Sequence, residues 1–187
     1  MGNIYEQIAL KLKDLRQKRG WSLDKTAKAT GVSKAMLGQI EREESSPTIA
    51  TLWKIASGFQ TPFSSFIDDN QSEFNEPVFR GGEAQPLHPD DQKIRVLSLF
   101  PYDAQLSFEV FIIELLPECE HLSSPHKPGV IEHVIVAQGK MEVLVNGIWQ
   151  ELASGEGLRF NANQPHGYRN NSPEITRFHD IIHYPAG

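Results

Sequence analysis

A chain of 187 residues with a formal net charge of −6 and a single cysteine, Cys119, has room for two domains, makes no internal disulfide and holds no Cys-x-x-Cys pair for a zinc finger. It contains no run of about 18 apolar residues and no basic-then-apolar start, which argues against a membrane-spanning helix and leads to the expectation of a cytoplasmic protein. The charge is unevenly divided: residues 1–67 carry ten Lys and Arg against six Asp and Glu, whereas 68–187 carry eight against eighteen, together with all seven histidines. Only the first part suits a polyanion.

In chain order, Ile8, Leu12 and Leu15 recur at helical spacing among Lys11, Lys13, Arg16 and Lys18, predicting a helix over 5–19 that Gly20 ends. Ser22 and Ser33 offer N-cap oxygens to a second helix ending at Thr30-Gly31 and a third over 34–43. A fourth runs from 48 through Leu52, Ile55 and Ala56, with Gly58 as its expected stop, and Pro62-Phe63 opens a short fifth that ends at 67. Residues 68–92 are acidic, contain Pro77, Pro86 and Gly81-Gly82, and read as a linker between domains at 1–67 and 93–187. Beyond it the period shortens to that of strands, expected at 94–100, 106–116, 130–136, 140–145, 148–152, 157–160, 166–170 and 175–183. Turn signals at Asn146-Gly147 and Ala153-Ser154-Gly155 punctuate them, and so many short strands suggest a sandwich or a closed jelly-roll barrel.

The stretch from Ser22 to Glu41 has the spacing of a helix-turn-helix. Ala27 is small where two helices cross, Gly31 suits a left-handed turn, and Val32, Leu37 and Ile40 suit the core. Lys34, Ala35, Gly38 and Gln39 are then expected on the outer face of the third helix, where Gln39 suits an adenine edge, Lys34 guanine or phosphate, and Ala35 a thymine methyl. The alternative is a helical dimerisation or protein-binding module with a solvated face.

Over about 8–67 these residues resemble the phage-repressor (Xre/Cro) helix-turn-helix family, whose lambda-repressor-like fold has five helices. The resemblance implies that Lys34, Ala35, Gly38 and Gln39 face bases, that Ser33, Arg42, Ser46 and Thr48 join them at the DNA with the 42–48 loop on phosphates, and that Arg16 pairs with Glu41. Glu43-Glu44 departs from the Gly and neutral or basic residue common in that loop, which weakens the expected phosphate contacts. A module of this size buries little DNA surface, so a homodimer on a double-stranded, near-palindromic operator is expected, with half-sites about one helical turn apart.

In the second domain, five residues separate His126 from Glu132, six separate Glu132 from Gly139, and ten separate Gly155 from His166. This resembles the two cupin motifs, with Ser124 in place of the first histidine and Asn161 and Asn163 in place of the common Pro and Gly. The fold expected is an antiparallel β-barrel of the cupin jelly-roll type. His126, Glu132 and His166 are the matched metal positions; three ligands leave a coordination position open, and zinc is the first expectation for a His-His-Glu set. A metal-free cupin whose polar residues bond a ligand or one another is the other reading. Tyr168 and His179 are expected to line an effector pocket, with a core or interface role as the alternative for His179; Phe108, Val110, Ile112 and Phe160 are further wall candidates. Cys119 reads as a small strand residue rather than a reactive thiol, and His133 as pointing away from Glu132.

A helix-turn-helix fused to a cupin is a recurrent bacterial regulator architecture, and this chain is similar to members concerned with sulfur utilisation at 33–56, Ser98-Leu99-Phe100-Pro101-Tyr102-Asp103, Gly129-Val130-Ile131-Glu132-His133 and Ile182-His183-Tyr184-Pro185. The resemblance implies a DNA-binding transcriptional regulator, not an enzyme, with a small-molecule effector such as a sulfur-containing amino acid whose amino and carboxylate groups would chelate the ion. The alternative is a metal-dependent cupin enzyme of the thiol dioxygenase type; the fused DNA-binding domain and the missing first histidine argue against it.

Overall fold

The computed structural model describes residues 4–67, 87 and 89–185, and the chain divides into two compact units, Met1–Gln71 and Ser72–Gly187. Most of the expected linker, including His88, lies outside the described residues.

The described residues of the first unit form five helices: α1 (Ile4–Lys18), α2 (Leu23–Thr30), α3 (Lys34–Glu41), α4 (Ile49–Phe59) and α5 (Ser64–Ile67). Three begin at a hydroxyl cap, with Ser22, Ser33 and Thr48 accepting from the N–H groups of Lys25, Met36 and Thr51. Gly20 and Gly31 take φ values of 62° and 69°, left-handed conformations that a side chain would resist. The core is apolar: Ile8, Leu12, Leu37, Ile40, Leu52, Ile55, Phe59, Phe63 and Phe66 are all buried. The fourth helix does not stop at Gly58. It runs one residue further and ends on Gln60 at φ 52°. Gly58 serves packing instead, since a Cβ there would lie 2.6 Å from the Thr30 Cα, so its missing side chain lets α4 press against the end of α2.

The second unit is a pair of antiparallel sheets in the cupin jelly-roll manner, rather than one closed barrel. Its described strands are β1 (Ile94–Asp103), β2 (Phe108–Leu115), β3 (Cys119–Ser123), β4 (Ile131–Gln138), β5 (Lys140–Val145), β6 (Ile148–Ala153), β7 (Gly157–Asn161), β8 (His166–Asn170) and β9 (Thr176–His183). One sheet runs β1-β2-β9-β4-β7 and the other β3-β8-β5-β6. β3 was not among the expected strands: at five residues with Glu120 and His121 inside it, it offers little apolar alternation. Gly139, at φ 80° between β4 and β5, would set a Cβ 2.9 Å from the Thr176 hydroxyl, which accounts for a glycine at that motif position.

Register fixes which side chains face inward. Ile182 lies opposite both Glu109 of β2 and Glu132 of β4, and Asp180 lies opposite Phe111 and Val134; all six are buried. The intervening residues of β9, among them His179 and Ile181, alternate to the outer face.

Candidate DNA-reading face and inward metal-ligand cluster

The turn from α2 to α3 places α3 with Leu37 and Ile40 in the core and Lys34, Ala35 and Gln39 exposed. Gly38, expected beside them, is buried: its backbone lies under the Arg42 side chain, whose nearest guanidinium nitrogen would stand 3.1 Å from a Cβ, and near Leu23. A groove could reach it only after Arg42 swings away. Lys34 Nζ pairs with Asp24 at 2.8 Å, both side chains more than half exposed, so the ammonium is readily given up to another anion. Arg42 makes two bonds to Glu44, at 2.8 and 2.6 Å, on the surface. That pair gives the acidic loop a concrete consequence: a phosphate must displace a carboxylate to engage Arg42. Glu43 takes φ 60°, the left-handed conformation that favours glycine. The exposed Ser33 and half-buried Thr48 use their hydroxyls as helix caps, and Ser46 is half-buried in the loop.

Behind this face, Arg16 meets Glu41 through two bonds of 2.6 and 2.7 Å and also donates to the Trp21 carbonyl at 3.1 Å. The pair joins α1 to the end of α3 with side chains only 18% and 9% exposed. Hydrogen bonding to Glu41 raises the Arg16 pKa against the opposing effect of burial.

In the second unit, Glu132 comes from β4 of the five-stranded sheet, His166 and Tyr168 from β8 of the four-stranded sheet, and His126 from the loop between β3 and β4. Backbone bonds from His126 N–H to the Ala162 carbonyl (2.8 Å) and from Ala162 N–H to the Val130 carbonyl (3.0 Å) tie that loop down. His126 Nε2 lies 2.8 Å and His166 Nε2 3.4 Å from Glu132 Oε1, and the three ligand atoms fall within 4.8 Å of one another. Tyr168 donates to Glu132 Oε2, closing the carboxylate's far side.

The donor set fits a divalent ion. His166 Nδ1 is 2.8 Å from the Gln164 carbonyl, which can only accept, so Nδ1 carries a proton and Nε2 is the ring atom turned into the cluster. That Nε2 is buried with no hydrogen-bond partner among the described residues, the condition of a ligand atom awaiting a metal. Burial opposes ionisation of Glu132, but His126 and His166 beside its carboxylate outweigh it and hold its pKa below the usual carboxylate range. Burial likewise disfavours a charged His166, yet the Glu132 carboxylate facing its Nε2 raises its pKa.

Phe160 and Tyr168 flank His166, with ring centroids 5.3 and 6.1 Å away. The other expected wall residues do not join them: Phe108, Val110 and Ile112 share the outer face of β2, opposite His183, Ile181 and His179. His179, expected in the effector pocket, is therefore on the wrong side of its strand. The parity of β9 is set by Phe178, Asp180 and Ile182, which are buried. His133 also faces outward, opposite Ile181. Three inward groups went unread in the sequence: His121, Glu109 and Asp180. His121 shares the inward parity of Cys119 and Ser123 on β3, and burial, with the charge of His166 adding, lowers its pKa to about 4. The signal for Glu109 and Asp180 was available, since both sit in phase with core residues of their strands.

Known proteins place these two units together. The Helix-turn-helix family matches residues 12–66 and the Cupin domain family residues 111–182. Over 185 residues the chain is 50% identical to the HTH-type transcriptional regulator SutR of Escherichia coli strain K12, with 99% of each covered. The chain belongs to the helix-turn-helix transcriptional regulators that carry a cupin domain. A crystal structure of an HTH_3 family transcriptional regulator from Vibrio cholerae is 49% identical and covers 98% of both chains at a TM-score of 0.85. The Cupin_2 domain of an XRE family transcriptional regulator from Enterobacter cloacae is 44% identical and matches 51% of this chain over its whole length, at a TM-score of 0.50. The regulator is thus a DNA-binding protein by family, and among its described residues no helix is long and apolar enough to cross a membrane.

Proposed function

We propose that this regulator binds its operator as a cytoplasmic homodimer, reads bases with Lys34, Ala35 and Gln39, and changes operator affinity when a small molecule enters the cupin unit. Ser33, Arg42, Ser46 and Thr48 are assigned to the sugar-phosphate backbone, and Gly38 to close approach once Arg42 has moved. Two recognition helices presented about one helical turn apart would supply the contact area that one such module lacks.

In the cupin unit, His126, Glu132 and His166 would hold a divalent ion, zinc being favoured by the His-His-Glu set. Such an ion would supply Lewis acidity toward a donor atom of the effector, and the resemblance to regulators of sulfur utilisation supports a sulfur-containing amino acid in that role. The chain's own groups do the rest: Gln164 fixes the His166 tautomer, Tyr168 orients Glu132, and Phe160 and Tyr168 keep water from the histidine. Binding then favours one arrangement of the dimer, so effector and operator affinities change reciprocally. One observation carries the sensing reading: a buried His166 Nε2 without a hydrogen-bond partner, inside a chain whose other unit belongs to a DNA-binding family.

A mobility-shift titration at fixed salt, on a site selected from random DNA, tests the readout. Gln39→Ala should weaken specific binding by about 1–3 kcal/mol, and Lys34→Ala should weaken it and flatten its salt dependence. Binding by both variants at the parental affinity would remove these residues from the interface.

A further inference from the structure

Besides His166 Nε2, three buried side-chain atoms of the cupin unit have no hydrogen-bond partner among the described residues: Ser98 Oγ, His133 Nδ1 and Asp180 Oδ1. Asp180 is 3% exposed, and its Oδ1 is buried with no hydrogen-bond partner among the described residues. It sits on the inward face of β9, two residues from Ile182, and Ile182 is flanked by Glu109 on one side and Glu132 on the other. Two of these three carboxylates are served: Tyr184 donates to Glu109, while Tyr168 and the metal-cluster histidines engage Glu132. Three inward carboxyl groups, one with an oxygen left unserved, make a poor filler for a core. Inward positions of a sheet otherwise take apolar side chains, as Phe111, Phe178 and Ile182 do on the same strands. Burial and the charges of Glu132 and Glu109 hold the Asp180 carboxyl well above the usual carboxylate range, so the partner that matches this acidic trio is a donor that brings its own positive charge.

We infer that the cupin interior takes a ligand bearing a protonated primary amine, whose ammonium group donates to Asp180 and is faced by Glu109. The inference rests on the reading of the cupin unit as the effector site and sharpens it. An amino-acid effector would point its ammonium at Asp180, leaving its carboxylate or thiol for the His126–Glu132–His166 side, instead of chelating through its amine. Asp180 and Glu109 thereby set ligand class, a role distinct from that of the three metal-ligand candidates.

The test uses the full-length, zinc-loaded protein and isothermal titration with L-cysteine, L-alanine and n-propylamine, matched against propionate and 1-propanol. The amines should bind and the two amine-free compounds should not. Asp180→Asn should weaken amine binding at least tenfold while the unliganded variant melts no lower than the parent, since it replaces a desolvated carboxyl with a neutral group. Glu109→Gln should weaken it less, and serves in its place if Asp180→Asn fails to fold. Amine binding unchanged in both folded variants overturns the inference. Binding of propionate without the amines overturns it too, but leaves the sensor reading standing with an anionic ligand. Silence from every compound, with operator affinity equally unmoved, sinks both.

Discussion

In the helix-turn-helix unit the inward positions are Ile8, Leu12, Leu37, Ile40, Leu52 and Phe59, and the groups suited to DNA stand outside on α3. In the cupin unit the inward positions include Glu109, Glu132, His166 and Asp180. Buried polar groups alone do not separate the two. Thr26 and Thr30 are buried in the first unit, and their hydroxyls donate to the carbonyls of Ser22 and Thr26 at 3.0 and 2.9 Å. Asn170 is buried in the second and its amide donates to the Leu115 and Glu174 carbonyls at 2.9 and 2.7 Å. These are satisfied, and their role is structural. His166 Nε2 and Asp180 Oδ1 are not satisfied by the described residues. The contrast fits a first unit that acts through its surface and a second that acts through its interior; unmet hydrogen-bonding capacity alone does not mark the site, since Ser98 Oγ and the outward His133 Nδ1 also lack a partner among the described residues.

The largest expected effect tests that interior. His166→Ala should reduce bound zinc to background after dialysis, measured by elemental analysis, while His133→Ala, on the outer face of the same sheet as Glu132, should keep it. Equal metal in His166→Ala and the parent would remove the donor set from the account.

The first unit offers a smaller effect. Its Arg16–Glu41 pair is mostly withdrawn from water, so Glu41→Gln leaves a guanidinium short of its carboxylate and should lower stability by about 2–3 kcal/mol in urea unfolding followed by circular dichroism. A change near zero would mean that Arg16 is solvated well enough alone.

Smallest is the effect of Cys119, a buried residue of β3. Burial raises its thiol from 9.0 to about 11, so the unfolded chain gives up the proton first and folding stability falls as pH rises across that interval. Native protein at pH 8 should resist iodoacetamide, and the unfolding midpoint should drop between pH 9 and 11 less in Cys119→Ala than in the parent. Rapid alkylation at pH 8 would contradict the burial.

The helices were legible because each carries its own punctuation: hydroxyl caps at Ser22, Ser33 and Thr48, and glycines at 20 and 31 with left-handed turns. Periodicity also located the long strands. It failed at β3, where the apolar signal is short, and at Gly58, whose requirement is set by Thr30 across the interface rather than by its own helix. Gly38 is covered rather than exposed because helical spacing gives a direction but not what lies over it, here Arg42 just past the helix end. At the inward cluster, spacing picked out His126, Glu132 and His166, which the fold brings together. His179 failed for a different reason: histidine chemistry drew attention to one parity of β9, while the buried Phe178 and Ile182 put Asp180 inside. Strand parity was the stronger constraint, because a one-residue shift would expose the whole apolar face.

The central claim is that the inward site and the DNA-reading face are energetically linked. The direct measurement is operator affinity by fluorescence anisotropy, at one salt concentration, for the zinc-loaded parent and for folded His166→Ala, each with and without saturating L-cysteine. The account predicts that L-cysteine shifts the parent's affinity by at least about fivefold and leaves His166→Ala unmoved. Identical affinities in all four states would contradict it.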